Sequence, residues 1–513
     1  MASPRRKVLF LTNSDYGQAN VVLATAHAMM HIAPDTEIHI ASFAGLEIGV
    51  RHTSEFALRT ARTASPLIFH LINGISNWSA QERPEVGVME SFARGPGFIN
   101  SSKGILMIPA IMQPWTPEEF VGLYHEAKRV YDEVQPDITV VEPLFTPGMT
   151  LCHYIDTNWI VLAPNTIKDF AVPLQPWLAM MWKYPLIFSA FPFPLPWHLI
   201  PSNIVFNLVA GYALVTDTRI KNTVSYMRQH IAPSINLMTA NELGVLKAPP
   251  PGLRILVSNA RDLDYPFDVL PEHVIPCGPI VRAAPAVADV DSELAAWLAR
   301  GPTVYVNLGT HLQMDVNQAL EMALAFRDLL DKAQDVDYGG KGGAKLQILW
   351  KLRRKTPHGE HASDPNDYSG LWKLVQDALR SEFESDRVRI TSWITAEPKS
   401  ILESGRVICS VNHGGASSFN ESICAGIPQV LLPAWSDCFD YGNRVELLKV
   451  GRWANKVAKP SWKRNELASA LEEVILSDKT AAILEQVKRL SKNYPEGAGR
   501  NYAAKEILSA IQS

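Results

Sequence analysis

The chain has 513 residues, of which 47 % are hydrophobic and 19 % charged, with a formal net charge of −4. That length exceeds one ordinary core and fits two globular domains. The composition excludes a disordered chain, and the near-neutral charge gives no reason to expect a nucleic-acid partner.

The five cysteines, Cys152, Cys277, Cys409, Cys424 and Cys438, form no C-x-x-C pair, so neither a zinc site nor a disulfide framework is expected. At the N-terminus Arg5, Arg6 and Lys7 precede only the brief apolar run Val8 to Leu11, too short for the apolar region of a signal peptide. A cytoplasmic protein is expected.

In chain order, residues 7–12 read as a strand, 13–18 as a loop, 20–31 as a helix and 38–42 as a second strand. This strand, helix, strand unit is how a Rossmann-like half begins. Further buried strands are expected at 138–141, introduced by Pro136-Asp137 and followed by Glu142, and at 159–162. From Tyr184 to Thr216 there is no Lys, Arg, Asp or Glu, yet Pro185, Pro192, Pro194, Pro196 and Pro201 interrupt any long helix. Only about 202–215 is open to regular structure, which is short for a membrane span. The stretch therefore reads as a pocket lining or as a surface patch in peripheral contact with membrane. Residues 170–206, rich in aromatics and proline, read as the wall of a pocket for a hydrophobic ligand.

A seam rich in Ala, Pro and Asp follows Cys277-Gly278-Pro279-Ile280, and the α/β pattern then restarts. The expected division is a first domain at 1–281, a linker at 282–292, a second domain at 293–475 and a C-terminal helical segment at 476–513 that packs back on the first domain. Helices are expected at 293–300 and 317–332, and strands at 303–308, 347–350, 388–390, 407–411 and 429–432. Residues 337–345 carry glycines and lysines but lack the G-x-x-x-x-G-K-[ST] spacing of a phosphate loop. Residues 355–370 read as a solvated insertion in which His358 and His361 make no metal site.

The densest pattern runs from His413 to Cys438, HGGASSFNESICAGIPQVLLPAWSDC. The buried strand 407–411 leads to His413, the chain turns at Gly414 and Gly415, and a helix is expected over 416–425, with Gly426 and Pro428 as stop signals. The helix N-terminus, with Ser417 and Ser418 beside it, offers outward-pointing amides and the positive end of a macrodipole to an anion. Ser418 and Glu421 alternatively fit a capping box, which needs no ligand. Gly309 and Thr310 end the first strand of the second domain, either as a phosphate contact or as a capped turn. Trp393 falls out of phase with the buried positions of strand 388–390, as a stacking platform would, with core packing as the alternative.

The joint spacing of His413, the glycines, Ser417, Ser418, Glu421, Gly426-x-Pro428 and Asp437 resembles the nucleotide-sugar signature of the family 1 glycosyltransferases, the UDP-glycosyltransferases, and more narrowly their fungal branch. The resemblance implies an α/β GT-B fold, two Rossmann-like domains facing a central cleft. It also implies a UDP-sugar donor as co-substrate with no further cofactor, and a small hydrophobic acceptor. By the same resemblance His413, Gly415 and the serines meet the diphosphate, Thr310 reaches the β-phosphate, Trp393 stacks on uracil, Glu421 holds the ribose and Asp437 binds the sugar. Cys438 stands where the family carries a Gln or His that contacts sugar hydroxyls, and a thiol is a weak partner for them. The glutamine of the family's W-x-P-Q is absent, since Trp393 is followed by Ile394, Thr395 and Ala396.

The sharper departure lies in the first domain. Where the family has G-H, with the histidine as general base, this chain has Gly17-Gln18, and where an aspartate orients that base it has Glu142. Glutamine hydrogen-bonds but does not take up a proton usefully. The proton is therefore expected to go to Glu142, directly or through water, or to Asp15, with Gln18 positioning the acceptor. No metal is expected, because the helix N-terminus and His413 suffice for the leaving group and no Asp-x-Asp motif occurs. The expected activity is inverting transfer of a hexose, glucose, to a hydroxyl or carboxyl of a secondary metabolite. Two rivals stand beside it: a membrane-associated sterol or lipid glycosyltransferase, and a UDP-sugar-binding protein without catalysis.

Overall fold

The computed structural model describes residues 5–336, 344–355 and 370–511. The glycines of 337–345 and both His358 and His361 lie outside the described residues. The chain divides into two compact units, Met1–Ala283 with Glu496–Ser513, and Ala284–Pro495.

The first unit is built on a seven-stranded sheet in the order β3-β2-β1-β4-β5-β6-β7. Its strands are β1 Lys7–Leu11, β2 Glu37–Ser42, β3 Ile68–Leu71, β4 Ile138–Val141, β5 Trp159–Ala163, β6 Ile255–Val257 and β7 Val274–Pro276. Every pairing is parallel. Successive side chains of a strand point to opposite faces, so a sheet covered on both faces requires unbroken apolar runs. β1 meets that requirement: Leu9 and Leu11 enter one core with Phe120 and Tyr124, while Val8 and Phe10 enter another with Val22 and Met29. The helix Tyr16–Ile32 lies in the second of these cores, and its outer side is sealed by Ala503, Ala504 and Ile507 of the last helix, Ala498–Ala510. A side chain at Gly499 would come within 2.1 Å of the Pro279 carbonyl, so only glycine lets that helix return so closely.

The C-terminal segment divides differently from the sequence expectation. The helix Thr480–Ser491 packs in the second unit, where Ile483 joins its core and Ser491 lies against Gly426, and only the part from Glu496 onward belongs to the first. The aromatic stretch also divides. Tyr184, Phe188 and Phe206 are buried in small clusters, whereas Trp177 and Trp197 are exposed.

The second unit carries a six-stranded sheet in the order β10-β9-β8-β11-β12-β13, again parallel throughout. Its strands are β8 Thr303–Asn307, β9 Gln347–Lys351, β10 Val388–Thr391, β11 Val407–Asn412, β12 Gln429–Leu431 and β13 Gly451–Trp453. Val304 and Val306 face a core with Phe326 and Trp350, and Tyr305 faces another with Trp297 and Ile401. In each sheet the strand order reverses once, between β1 and β4 and between β8 and β11. In open α/β sheets the crevice beyond the strand ends at such a reversal is where ligands bind.

Candidate functional site

At the β8/β11 reversal, the segments after both strands turn through left-handed glycines, Gly309 (φ +86°) and Gly414 (φ +79°). Each turn is fixed by an asparagine two residues earlier: the Gly309 amide donates to Asn307 Oδ1 (3.1 Å) and the Gly414 amide to Asn412 Oδ1 (2.9 Å). The His413 imidazole is clasped between two glycines. A Cβ on Gly309 would meet its Cε1 at 2.7 Å, and one on Gly415 would meet its Nε2 at 2.5 Å. The Trp435 ring closes a further side, 5.7 Å between centroids. Burial, with His311 and Lys351 nearby, pushes the His413 pKa down to about 4, so the ring is neutral and carries one N–H. Its Nδ1 is buried without a hydrogen-bond partner among the described residues.

The helix Ala416–Cys424 starts from Gly415 as its N-cap, and no side chain caps it. Ser418 and Glu421 form no capping box, so the bland alternative for that pair does not hold here. Ser417 and Ser418 sit half-buried in the first turn. Glu421 lies one turn further, close enough to the β8 residue Tyr305 that its charge, added to burial, holds that phenol well above its ordinary range. Thr310 and His311 follow Gly309, and burial with the adjacent Arg353 lowers the His311 pKa to about 4.

Asp437 leads into the helix Cys438–Leu447 and accepts a bond from Ser436 Oγ (2.9 Å). The Cys438 side chain is buried, and burial beside Asp437 holds its thiol neutral. Trp393, just past β10, is 61 % exposed. Sequence reasoning missed its neighbour: the ammonium of Lys351, at the end of β9, lies 4.4 Å from the centre of the Trp393 ring. Lys351 pairs in register with Asn307 on one side and Thr391 on the other, which carries its charge to the middle of the strand ends. Burial and Arg353 lower its pKa to about 8.

At the β1/β4 reversal of the first unit a carboxylate pair takes shape. Glu142 is wholly buried, its Oε2 accepting from Asn13 Nδ2 (2.9 Å) and its Oε1 from the Leu144 amide (2.8 Å). Burial, with the charge of Asp15 adding to it, raises its pKa to about 7. Asp15 heads the helix Tyr16–Ile32 and is only partly buried. Burial raises its pKa to about 6, Glu82 adds to the rise, and a bond from the Trp78 amide opposes it. The Gln18 amide donates to the Asp15 carbonyl (2.9 Å), and Gln18 Oε1 is buried without a partner among the described residues.

Two parallel-sheet α/β units, each with polar groups gathered at a strand-order reversal, make up the GT-B architecture. The chain overlays on a UDP-glucosyltransferase from Polygonum tinctorium capable of glucosylating indoxyl, with a TM-score of 0.60 over 100 % of both chains and 14 % identity. A family model described as UDP-glucoronosyl and UDP-glucosyl transferase matches residues 364–495. Glycosyltransferase sdnJ of Sordaria araneosa is 32 % identical over 463 residues, 89 % of this chain and 85 % of that protein. UDP-glycosyltransferase stmC of Aspergillus ustus is 25 % identical over 283 residues, 53 % of this chain and 48 % of that one. This chain belongs to the family 1 UDP-glycosyltransferases, and it is a UDP-sugar-dependent enzyme.

Proposed function

We propose that this enzyme moves a hexose, glucose, from its UDP conjugate to a hydroxyl or carboxyl group of a small hydrophobic secondary metabolite, with inversion at the anomeric carbon. The observation that carries the reading is the His413 cradle: a neutral imidazole fixed between two glycines, next to a helix N-terminus that no side chain caps. An imidazole N–H beside uncapped helix amides suits a diphosphate that gains charge as the glycosidic bond breaks. Around it, Thr310, Gly415, Ser417 and Ser418 meet the phosphates, Glu421 the ribose and Asp437 the sugar. Trp393 carries the uracil, and Lys351 stiffens that platform from one face.

In the first unit the geometry favours Asp15 over Glu142 as proton acceptor. Both Glu142 oxygens are engaged and the side chain has no exposed surface, whereas Asp15 is accessible and its pKa of about 6 suits a base at neutral pH. The acceptor O–H gives its proton to the Asp15 carboxylate as its oxygen bonds to the anomeric carbon. The bond to the β-phosphate oxygen breaks, UDP leaves, and Asp15 returns the proton to solvent. Glu142 holds Asn13 in place beside the site, and Gln18 orients the acceptor. The cytoplasm is the proposed compartment.

A panel of UDP-sugars crossed with phenolic, terpenoid and sterol acceptors, read by UDP release and product mass, tests the proposal. UDP-glucose with a phenolic or terpenoid acceptor should give a product one hexose heavier. UDP binding without release from any pair would make the protein a binder alone.

A further inference from the structure

We propose that the helix Ile200–Thr216 lies against a lipid bilayer, with its outer face in the interfacial layer, independently of the acceptor assignment. Pro201, Ile204, Val205, Leu208, Tyr212 and Val215 recur at helical spacing along that face, and all are exposed, Leu208 at 61 %, Tyr212 at 66 % and Val215 at 67 %. A row of six exposed apolar or aromatic side chains on one helical face is the pattern of a docking surface. Aromatic side chains at the bilayer boundary surround it in sequence and packing. Trp197, 83 % exposed, precedes the helix, Trp177 precedes and Trp182 ends the short helix Ala179–Trp182 packed on it, and Phe98 and Ile99 project from the helix Phe98–Ile105, also packed on it.

The length and composition of 197–230 reach those of a membrane span, yet only 28 % of its apolar window is buried. A crossing is nevertheless ruled out by local geometry. The helix stops at Asp217 (φ −52°, ψ 127°), its 17 residues reach about 26 Å against the roughly 30 Å of hydrocarbon, and its inner face is bound to the fold. Asn203 Nδ2 donates to the carbonyls of Met181 (3.0 Å) and Tyr184 (2.9 Å), and Phe206 and Ala210 are buried in a small core. One face anchored and the other apolar is the arrangement of an interfacial helix.

Charge separates lipid from protein as the occupant. Residues 200–216 carry no ionisable group of either sign apart from Tyr212. Exposed cations lie at both approaches, Lys103 on the helix Phe98–Ile105 and Lys221 in the helix Thr218–His230, whereas the intervening carboxylate of Asp217 is committed to the Ile220 amide (2.9 Å). An apolar strip with cations at its margins matches acyl chains beneath anionic headgroups.

Flotation of the purified full chain with phosphatidylcholine vesicles, with and without phosphatidylserine, tests this. Binding to both is expected, stronger with phosphatidylserine, and the added part should weaken with salt. The triple variant L208D/Y212S/V215D should lower the bound fraction about tenfold or more, with melting temperature and UDP affinity unchanged as evidence of an intact fold. Failure of the natural chain to float, or equal flotation of the variant, overturns the proposal. So does a sedimentation shift from dimer to monomer in the variant without vesicle binding by the natural chain, which would make a second copy the occupant.

Discussion

Asp15 and Glu142 are both carboxylates with raised pKa values, and what separates the roles proposed for them is access. Asp15→Asn should lower kcat about 10²–10⁴-fold while leaving UDP affinity unchanged, and it should remove the acid limb of the pH–kcat/KM profile, which is expected near the Asp15 pKa of about 6. Below that pH the base is protonated and the rate falls. Glu142→Gln should instead leave the limb near 6, because Glu142, with its pKa of about 7, is already protonated where Asp15 titrates, and both readouts come from one set of steady-state assays. Lys351 makes a second prediction. Lys351→Met should raise the dissociation constant for UDP about tenfold with kcat held, and Lys351→Arg should restore it. In the natural enzyme UDP affinity should weaken as pH rises through the Lys351 pKa of about 8. The sequence brought Asp15, Gln18 and Glu142 to one place, because each follows a strand of the same parallel sheet. It did not rank them, since burial depends on Asn13 and Leu144 closing over Glu142. Lys351 escaped notice because a lysine at a strand end reads as solvated, and only the register with Thr391 carries it under Trp393.

At the level of elements, the two turns around His413 depend on having no side chain. Gly415→Ala places a methyl 2.5 Å from the imidazole Nε2, and Gly309→Ala adds a contact at 2.7 Å to a left-handed backbone. Each should weaken UDP binding about tenfold or more, measured by calorimetry. Gly309→Ala should also lower the melting temperature, with about 1 kcal/mol from the backbone alone. The long apolar strands were legible because period and length agree, and β9 to β12 start or end within a residue or two of their expected limits. β3, β6, β7 and β13 were not, for runs such as Ile255–Val257 and Gly451–Trp453 are too short to set a period, and the pairing partner defines all four. The helix Ile200–Thr216 shows the reverse problem. Its outer face is apolar and its inner face mixes Asn203 and Asn207 with Phe206 and Ala210, so the letters mark a helix without marking which side is covered.

Across the whole molecule, buried and half-buried neutral histidines tie stability to pH. His27, His39, His311 and His413 each have a folded pKa pushed down to about 4, with burial the leading cause, against an unfolded value of 6.5. The unfolded chain binds protons first, so their stabilising contribution is full above about 6.5 and is lost as pH falls from there toward 4. His27, nearly inaccessible, accounts for up to about 3 kcal/mol of this. Thermal melts between pH 7 and pH 5 should show a falling midpoint, and a His27→Gln variant should flatten the slope. The return of Ala498–Ala510 onto the helix Tyr16–Ile32 also decides how this enzyme can be recombined. A chimera that exchanges the donor unit needs two junctions, one near 283 and one near 495, because a single graft would carry away the helix that completes the other half.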